Sequence, residues 1–348
     1  MTSREQRLEA PHRRFEYSSR IVERLVIAAY RGGSAVLARI PPAISRAVIG
    51  RAAQSSYLLW PTKRRWSNRN FGHVLGLPPD HPEVRRLALR AYRVYARYVV
   101  ELMRLPSRPP GEAASQVESP GVDDIINVWR ASGGPMIVTG AHIGNNEAVA
   151  AGLASRGWPV HTVADDTSFP ELFRLLSRQR ESWGVGIIPW RNLRRIFAVL
   201  RRGEILALIV DWGYRFDGVP VRLFGAWTTL PAGPATLAAK TNATIVPIAI
   251  RRLPGARFRI EPGEPIRVPS TSPADIQRAT QAIATSLEAV IAAAPEQWYS
   301  FKPMWPADEA QALQLEARAA AMLADTRPIG AGSGTGARAP GDEGPAIP

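Results

Sequence analysis

Apolar residues change their spacing along the chain, and the change divides it. Between Ile21 and Ile49 they recur at helical intervals (Leu25, Val26, Val36, Leu37, Ile44, Val48), with arginines at 20, 24, 31, 39, 46 and 51 between them. That spacing predicts helices, broken near Gly32-Gly33 and Pro41-Pro42. No uncharged run there is long enough to span a bilayer. Residues 60–81 interleave Trp60, Lys63, Arg64, Arg65, Trp66, Arg69 and Phe71. Residues 82–105 predict one long amphipathic helix from Pro82, with arginines at 85, 86, 90, 93 and 97 on its polar side.

Beyond a Pro/Gly/Ser-rich connection at 106–120, short apolar runs alternate with helical patterns. Strands are predicted at 136–141, 159–164, 185–189, 205–210, 244–250 and 256–260. Helices are predicted at about 123–131, after Asn145, and at 170–183, 192–202, 233–242, 274–293 and 307–324. Strands alternating with helices indicate an α/β fold, a layered mixed sheet flanked by helices. The chain then divides into a disordered N-terminus (1–20), a basic helical membrane-associating region (21–110), an α/β core (111–306), a C-terminal helix (307–325) and a disordered Gly/Pro/Ala-rich tail (326–348).

Charge sharpens that division. Of 44 lysines and arginines, 21 fall in residues 1–110, against 7 of the 30 acids; the remainder carries 23 of each. The net charge of +14 is therefore an N-terminal property. Such a segment meets nucleic acid or an anionic membrane surface. Arginines between apolar helical positions suit helices lying in the interface plane, or an ordinary helical layer on the core. No RNA-binding motif, zinc-finger spacing or clear helix-turn-helix accompanies them. There are no cysteines, which excludes disulfides and thiolate nucleophiles. The five histidines form no metal-ligand pattern.

The candidate chemistry lies at Gly140-Ala141-His142-Ile143-Gly144-Asn145-Asn146-Glu147. An apolar run precedes it and a helical pattern follows, so it reads as strand, turn, helix, with Asn145 as N-cap. His142 falls on the turn and Glu147 in the first helical turn, where the helix dipole favours a carboxylate. The two side chains can converge as a general base and its orienter. One histidine followed by a glutamate is common by chance. Its place at the carboxyl end of a buried strand is not, because ligands of α/β sheets gather there.

The ordered set around this motif resembles a known family. H-x4-E at 142–147 is similar to the H-x4-D/E signature of glycerolipid and lysophospholipid acyltransferases. The chain is closer to the branch of lipid A late acyltransferases and phosphatidylinositol mannoside acyltransferases. Arg180 before Trp183-Gly184 and Ile187-Ile188-Pro189 resembles that branch's arginine-glycine segment. Ile209-Val210-Asp211, then Gly218-Val219-Pro220-Val221-Arg222-Leu223-Phe224-Gly225, resembles its strand-aspartate and G-V-P-V-x-F-F-G block. Pro295-Glu296-Gln297-Trp298 resembles its P-E-Q-W. The likeness spans roughly residues 20–305. Two positions depart from the branch: Asn146 stands where tryptophan is frequent, and Trp212-Gly213 where a second acid often follows the aspartate.

The resemblance implies transfer of a long-chain fatty acyl group from acyl-CoA or acyl-ACP to a hydroxyl of a membrane glycolipid or phospholipid. His142 would be the general base and Glu147 its orienter. Backbone N–H groups near Gly144 and the guanidinium of Arg180 would receive oxyanion charge. Asp211 and Arg222 would bind substrate. For Arg180 a helix C-terminal role is equally open, Asp211 could be a solvated strand-end residue, and Arg222 an exposed strand residue. Trp212, Trp227, Trp298 and Trp305 fit either an acyl-chain channel or core packing. No cofactor or metal is expected. The expected partners are membrane lipids, the acyl carrier and an anionic surface at the cytoplasmic face of the cell membrane, with no nucleic acid. The rival readings are a basic nucleic-acid or membrane-binding protein without acyl transfer, and a thioester hydrolase using the same pair.

Overall fold

The computed structural model describes residues 12–105, 115, 117–118, 120–166 and 169–328; of the termini expected to be disordered, 1–11 and 329–348 lie outside them, as does most of the connection expected at 106–120, while residues 12–20, expected to be disordered, are helical. Four helices come first: α1 (His12–Arg39), α2 (Pro42–Leu59), α3 (Pro61–Leu75) and α4 (Pro82–Arg104). Then follow β1 (Val117–Glu118), α5 (Pro120–Ser132), β2 (Met136–Gly140), α6 (Asn146–Ala154), β3 (Val160–Ala164), α7 (Pro170–Glu181), β4 (Gly186–Pro189), α8 (Leu193–Arg201) and β5 (Ile205–Ile209). The chain continues with β6 (Val219–Leu223), β7 (Ala226–Leu230), α9 (Gly233–Thr241), β8 (Thr244–Arg252), β9 (Phe258–Pro262), α10 (Pro273–Ala293) and α11 (Glu309–Ala324).

Seven strands form one mixed sheet in the order β1-β9-β8-β2-β5-β3-β4. Only β8 and β9 pair antiparallel; the other neighbours are parallel. Every residue of β2 is buried, as a strand covered on both faces requires. The carboxyl ends of β2 and β5 lie side by side, with Gly140 opposite Ile209. That register places the functional turn beside residues 210–214.

Two features differ from expectation, and a third bears on a reading left open. Helix α1 runs through Gly32-Gly33 and ends only before Pro41-Pro42. Glycine in a helix costs about 1 kcal/mol relative to alanine, and Gly33 faces the end of the Met103 side chain. A Cβ there would stand 2.5 Å from Cε of Met103 on α4. Strands β6 and β7 form a two-stranded antiparallel hairpin apart from the main sheet. Its turn, Phe224-Gly225, holds two positive φ angles of 51° and 73°, the twist a two-residue hairpin favours. The basic N-terminal helices also share the core: Tyr57, Phe71, Val84 and Leu87 belong to one buried cluster with the strands of the sheet. Asn70 on α3 ties that layer down, donating to the carbonyls of Ser300 and Lys302.

Candidate active site

His142 leaves β2 two residues after Gly140, and Asp211 leaves β5 two residues after Ile209. Because Gly140 and Ile209 are partners, the two side chains start level and adjacent. His142 Nδ1 lies 2.7 Å from Asp211 Oδ1. The backbone N–H of His142 donates to the same carboxylate at 3.0 Å, and Trp298 Nε1–H donates to Oδ2 at 2.8 Å. The Asp211 side chain is 1% exposed and that of His142 is 35% exposed. A carboxylate so buried persists only when its oxygens are satisfied. Here three donors satisfy them.

Burial alone would raise the Asp211 carboxyl; the charge and hydrogen bonds of His142, with Trp298, hold it below the usual carboxylate range. Burial alone would lower the His142 imidazole; the Asp211 charge and hydrogen bond outweigh it and raise the pKa above 6.5. With Nδ1–H donating to Asp211, the Nε2 lone pair is left for the cleft that His142 lines. That is the arrangement of a general base whose tautomer is set by a carboxylate.

Glu147 does not make the expected contact with His142. Its carboxylate is gripped by Arg180: Nε donates to Oε2 at 2.8 Å and Nη2 to Oε1. Both side chains are largely buried, at 17% and 18% exposure. Glu147 sits in the first turn of α6 and Arg180 in the last turn of α7, so each also complements its helix dipole. The acid nearest in sequence thus braces two helices, and its charge reaches the imidazole only as a lesser upward push. Arg180, engaged fork to fork, is not a free oxyanion donor.

Gly144 has its own task. It holds φ +67°, and a Cβ there would stand 2.7 Å from the Ile250 carbonyl oxygen. Its N–H donates to the Gln297 carbonyl at 3.4 Å, which removes it as an oxyanion donor. Its carbonyl accepts from the Tyr299 hydroxyl at 2.7 Å. Arg222 lies on the β6–β7 hairpin, exposed, over the Trp227 ring and beside Glu316 of α11. It does not line the cleft, because the hairpin packs on α10 and α11 instead. Of the four tryptophans, Trp298 and Trp305 are core residues. Trp212, 58% exposed, lines the cleft beside His142.

Sequence reasoning missed a second ring of residues. Glu101 on α4 accepts from Asn145 Nδ2 at 2.9 Å and from Arg252 Nη1 at 2.6 Å. Gln297 pairs its side-chain amide with the backbone of Arg252, and Tyr299 N–H donates to the His142 carbonyl at 2.8 Å. The P-E-Q-W stretch therefore clamps the turn from behind. The cleft, about 290 Å³, is lined by Tyr95 and Tyr98 of α4, His142, Trp212, Tyr299 and two lysines. Burial pushes Tyr299 up to about 12 and Tyr98 higher still, so both stay neutral O–H groups. Asn146 lines the cleft and also a smaller apolar chamber walled by Val138, Val149, Leu153, Trp158 and Ala207. Its Nδ2 donates to the Ala141 carbonyl, while its buried Oδ1 has no hydrogen-bond partner. Among the described residues no cluster of His, Asp and Glu suits a metal ion.

Known proteins resemble this chain over most of its length. The sequence profile described as bacterial lipid A biosynthesis acyltransferase matches residues 12–306. A phosphatidylinositol mannoside acyltransferase of Mycolicibacterium smegmatis is 31% identical over 288 residues, covering 80% of this chain and 91% of that protein. One of Mycobacterium tuberculosis is 30% identical over 260 residues, covering 72% of this chain and 80% of that protein. A profile match over most of the chain, with relatives of this similarity, makes the chain an acyltransferase of the bacterial lipid A biosynthesis acyltransferase family, in the branch that includes phosphatidylinositol mannoside acyltransferases.

Proposed function

We propose that this enzyme moves a long-chain fatty acyl group from an acyl thioester, on CoA or acyl carrier protein, to a hydroxyl of a phosphatidylinositol mannoside or a closely related membrane glycolipid. The observation that carries the reading is the His142–Asp211 pair, bonded at 2.7 Å at the floor of an accessible cleft. A thioester needs little help to lose its thiolate, because a thiol's pKa is about 8.5. The alcohol is the poor partner. His142 Nε2 removes its proton as the oxygen attacks the thioester carbonyl; the tetrahedral intermediate collapses, the C–S bond breaks and the ester forms. The imidazolium returns the proton to the departing thiolate. Asp211 stabilises the positive imidazolium without taking its proton.

The enzyme works as a peripheral protein on the cytoplasmic face. Among the described residues no helix is long and apolar enough to cross a membrane. Helices α1 and α2 leave Ile21, Leu25, Val36, Ile44, Val48 and Leu59 exposed, the last at 81%. Arginines between them suit an anionic interface, each worth about 1 kcal/mol near the surface. The test is acyl transfer to phosphatidylinositol mannoside in anionic vesicles. His142→Ala is expected to abolish transfer while the protein still folds and binds vesicles. Full transfer by His142→Ala would remove the mechanism, and thioester loss without lipid product would favour a hydrolase.

A further inference from the structure

The cleft holds two cations that the acyl-transfer chemistry above does not use. Lys63 comes from α3 and Lys302 from the loop after Trp298, and both line the space above His142. Lys302 Nζ sits 3.6 Å from the centroid of the Trp212 ring, and Lys63 Nζ sits 4.7 Å from that of Trp66. Aromatic faces hold both ammonium groups in place. Among the described residues the one acid lining the cleft is Asp211, which His142 already occupies. Burial and the charge of Lys63 together push the Lys302 amine below its usual pKa. Two like charges therefore face one cleft with no anion between them, a standing repulsion that a bound anion would relieve.

We propose that Lys63 and Lys302 form a phosphate-binding pair that seats a phosphate ester of a substrate across the mouth of the His142 cleft. The proposal rests on the acyl-transfer reading and adds a residue-level basis for substrate choice. Compact ammonium groups bind phosphate oxygens as point charges. Position agrees with that chemistry. Lys63 follows Leu59 and the exposed Trp60, so its side of the cleft lies next to the end of α2 that leaves apolar residues exposed. Phosphate esters occur in both substrate classes: in the carrier portion of the donor, and in the headgroup of a phospholipid-based acceptor.

The experiment compares matched substrates that differ in phosphate. The donors are palmitoyl-CoA and palmitoyl-N-acetylcysteamine. The acceptors are phosphatidylinositol mannoside and a diacylglycerol-linked mannoside. For Lys63→Gln/Lys302→Gln, the KM of the phosphate-bearing member of one pair rises roughly tenfold or more, its phosphate-free counterpart keeps its KM, and kcat stays within about twofold. The pair that responds identifies which substrate is held. Lys63→Arg/Lys302→Arg restores most of the affinity, which separates lost charge from misfolding. Equal KM changes in both members, or none in either pair, would overturn the proposal. Binding of CoA and of acceptor vesicles to His142→Ala, with and without the lysine changes, keeps the two readings apart. Active His142→Ala sinks the mechanism alone, and phosphate binding indifferent to the lysines sinks this inference alone.

Discussion

Two acids flank His142, at the end of β5 and in the first turn of α6, and their fates differ. Asp211 is 69 residues away in sequence and hydrogen-bonds the imidazole; Glu147 is five residues away and bonds Arg180 instead. Strand register explains the first. Residues two steps past a parallel pair stand level, so β2 and β5 deliver His142 and Asp211 to one point. Helix geometry explains the second. A residue in the first turn of α6 rises away from the sheet with its helix and meets the last turn of α7. Proximity along a sequence is thus a poor guide to which carboxylate orients a base; a shared sheet edge is a better one. Both acids matter, but one sets a tautomer and the other sets a helix.

The largest effect should follow the loss of the first acid's charge. Asp211→Asn keeps the shape but lets the imidazole adopt the wrong tautomer, and kcat is expected to fall by roughly 10³–10⁴. The acid limb of the pH–rate profile should move down, because the charge that raises the His142 pKa above 6.5 is gone. Stability offers an independent reading with a fixed sign. A raised imidazole pKa means that protonated His142 stabilises the fold fully below about pH 6.5, and that this contribution is lost as pH rises through the raised value. In Asp211→Asn that pH-dependent increment should vanish from denaturant titrations.

The second acid should give a smaller catalytic and a larger structural loss. Glu147→Gln leaves the Arg180 guanidinium buried without a counter-charge, a cost of roughly 3 kcal/mol. The turn carrying His142 loosens only indirectly, so kcat should fall about tenfold to a hundredfold with the pH limb nearly in place. Glu147→Gln combined with Arg180→Met should recover much of the melting temperature. If Glu147→Gln instead abolished turnover with unchanged stability, Glu147 would belong to the reaction and the division of labour would be wrong.

The fold was legible where periodicity is strong. The strands at 136–141 and 205–210, the long helix from Pro82 and the cap at Asn145 all lie within a residue or two of expectation. The continuous α1 and the hairpin were not, because the packing of Met103 on Gly33 and the positive φ of Phe224 are not visible in local pattern. The site divided in the same way. His142 could be found from its strand–turn–helix setting, and Asp211 from the end of its apolar strand. Their pairing requires the strand order, which periodicity does not encode. Glu101, Arg252 and Tyr299 come from three distant segments and carry no motif; only the stretch Gln297-Trp298 next to Tyr299 marked that corner of the site.

The smallest expected effect is the most discriminating, because its sign opposes the first. Trp298→Phe removes one of the three donors to Asp211 and keeps most of the ring that packs against Phe71. A hydrogen bond to a charged group is worth about 1.5–3 kcal/mol, so stability should drop by about that amount. The carboxylate, less satisfied, becomes a stronger acceptor for the imidazole N–H. The acid limb of the rate profile should then shift upward by a fraction of a pH unit, opposite to Asp211→Asn, with kcat reduced by less than about tenfold. NMR titration of the His142 ring in both variants reads the shift without turnover. Two shifts of the same sign would mean that the tryptophan acts on the imidazole by packing rather than through the aspartate.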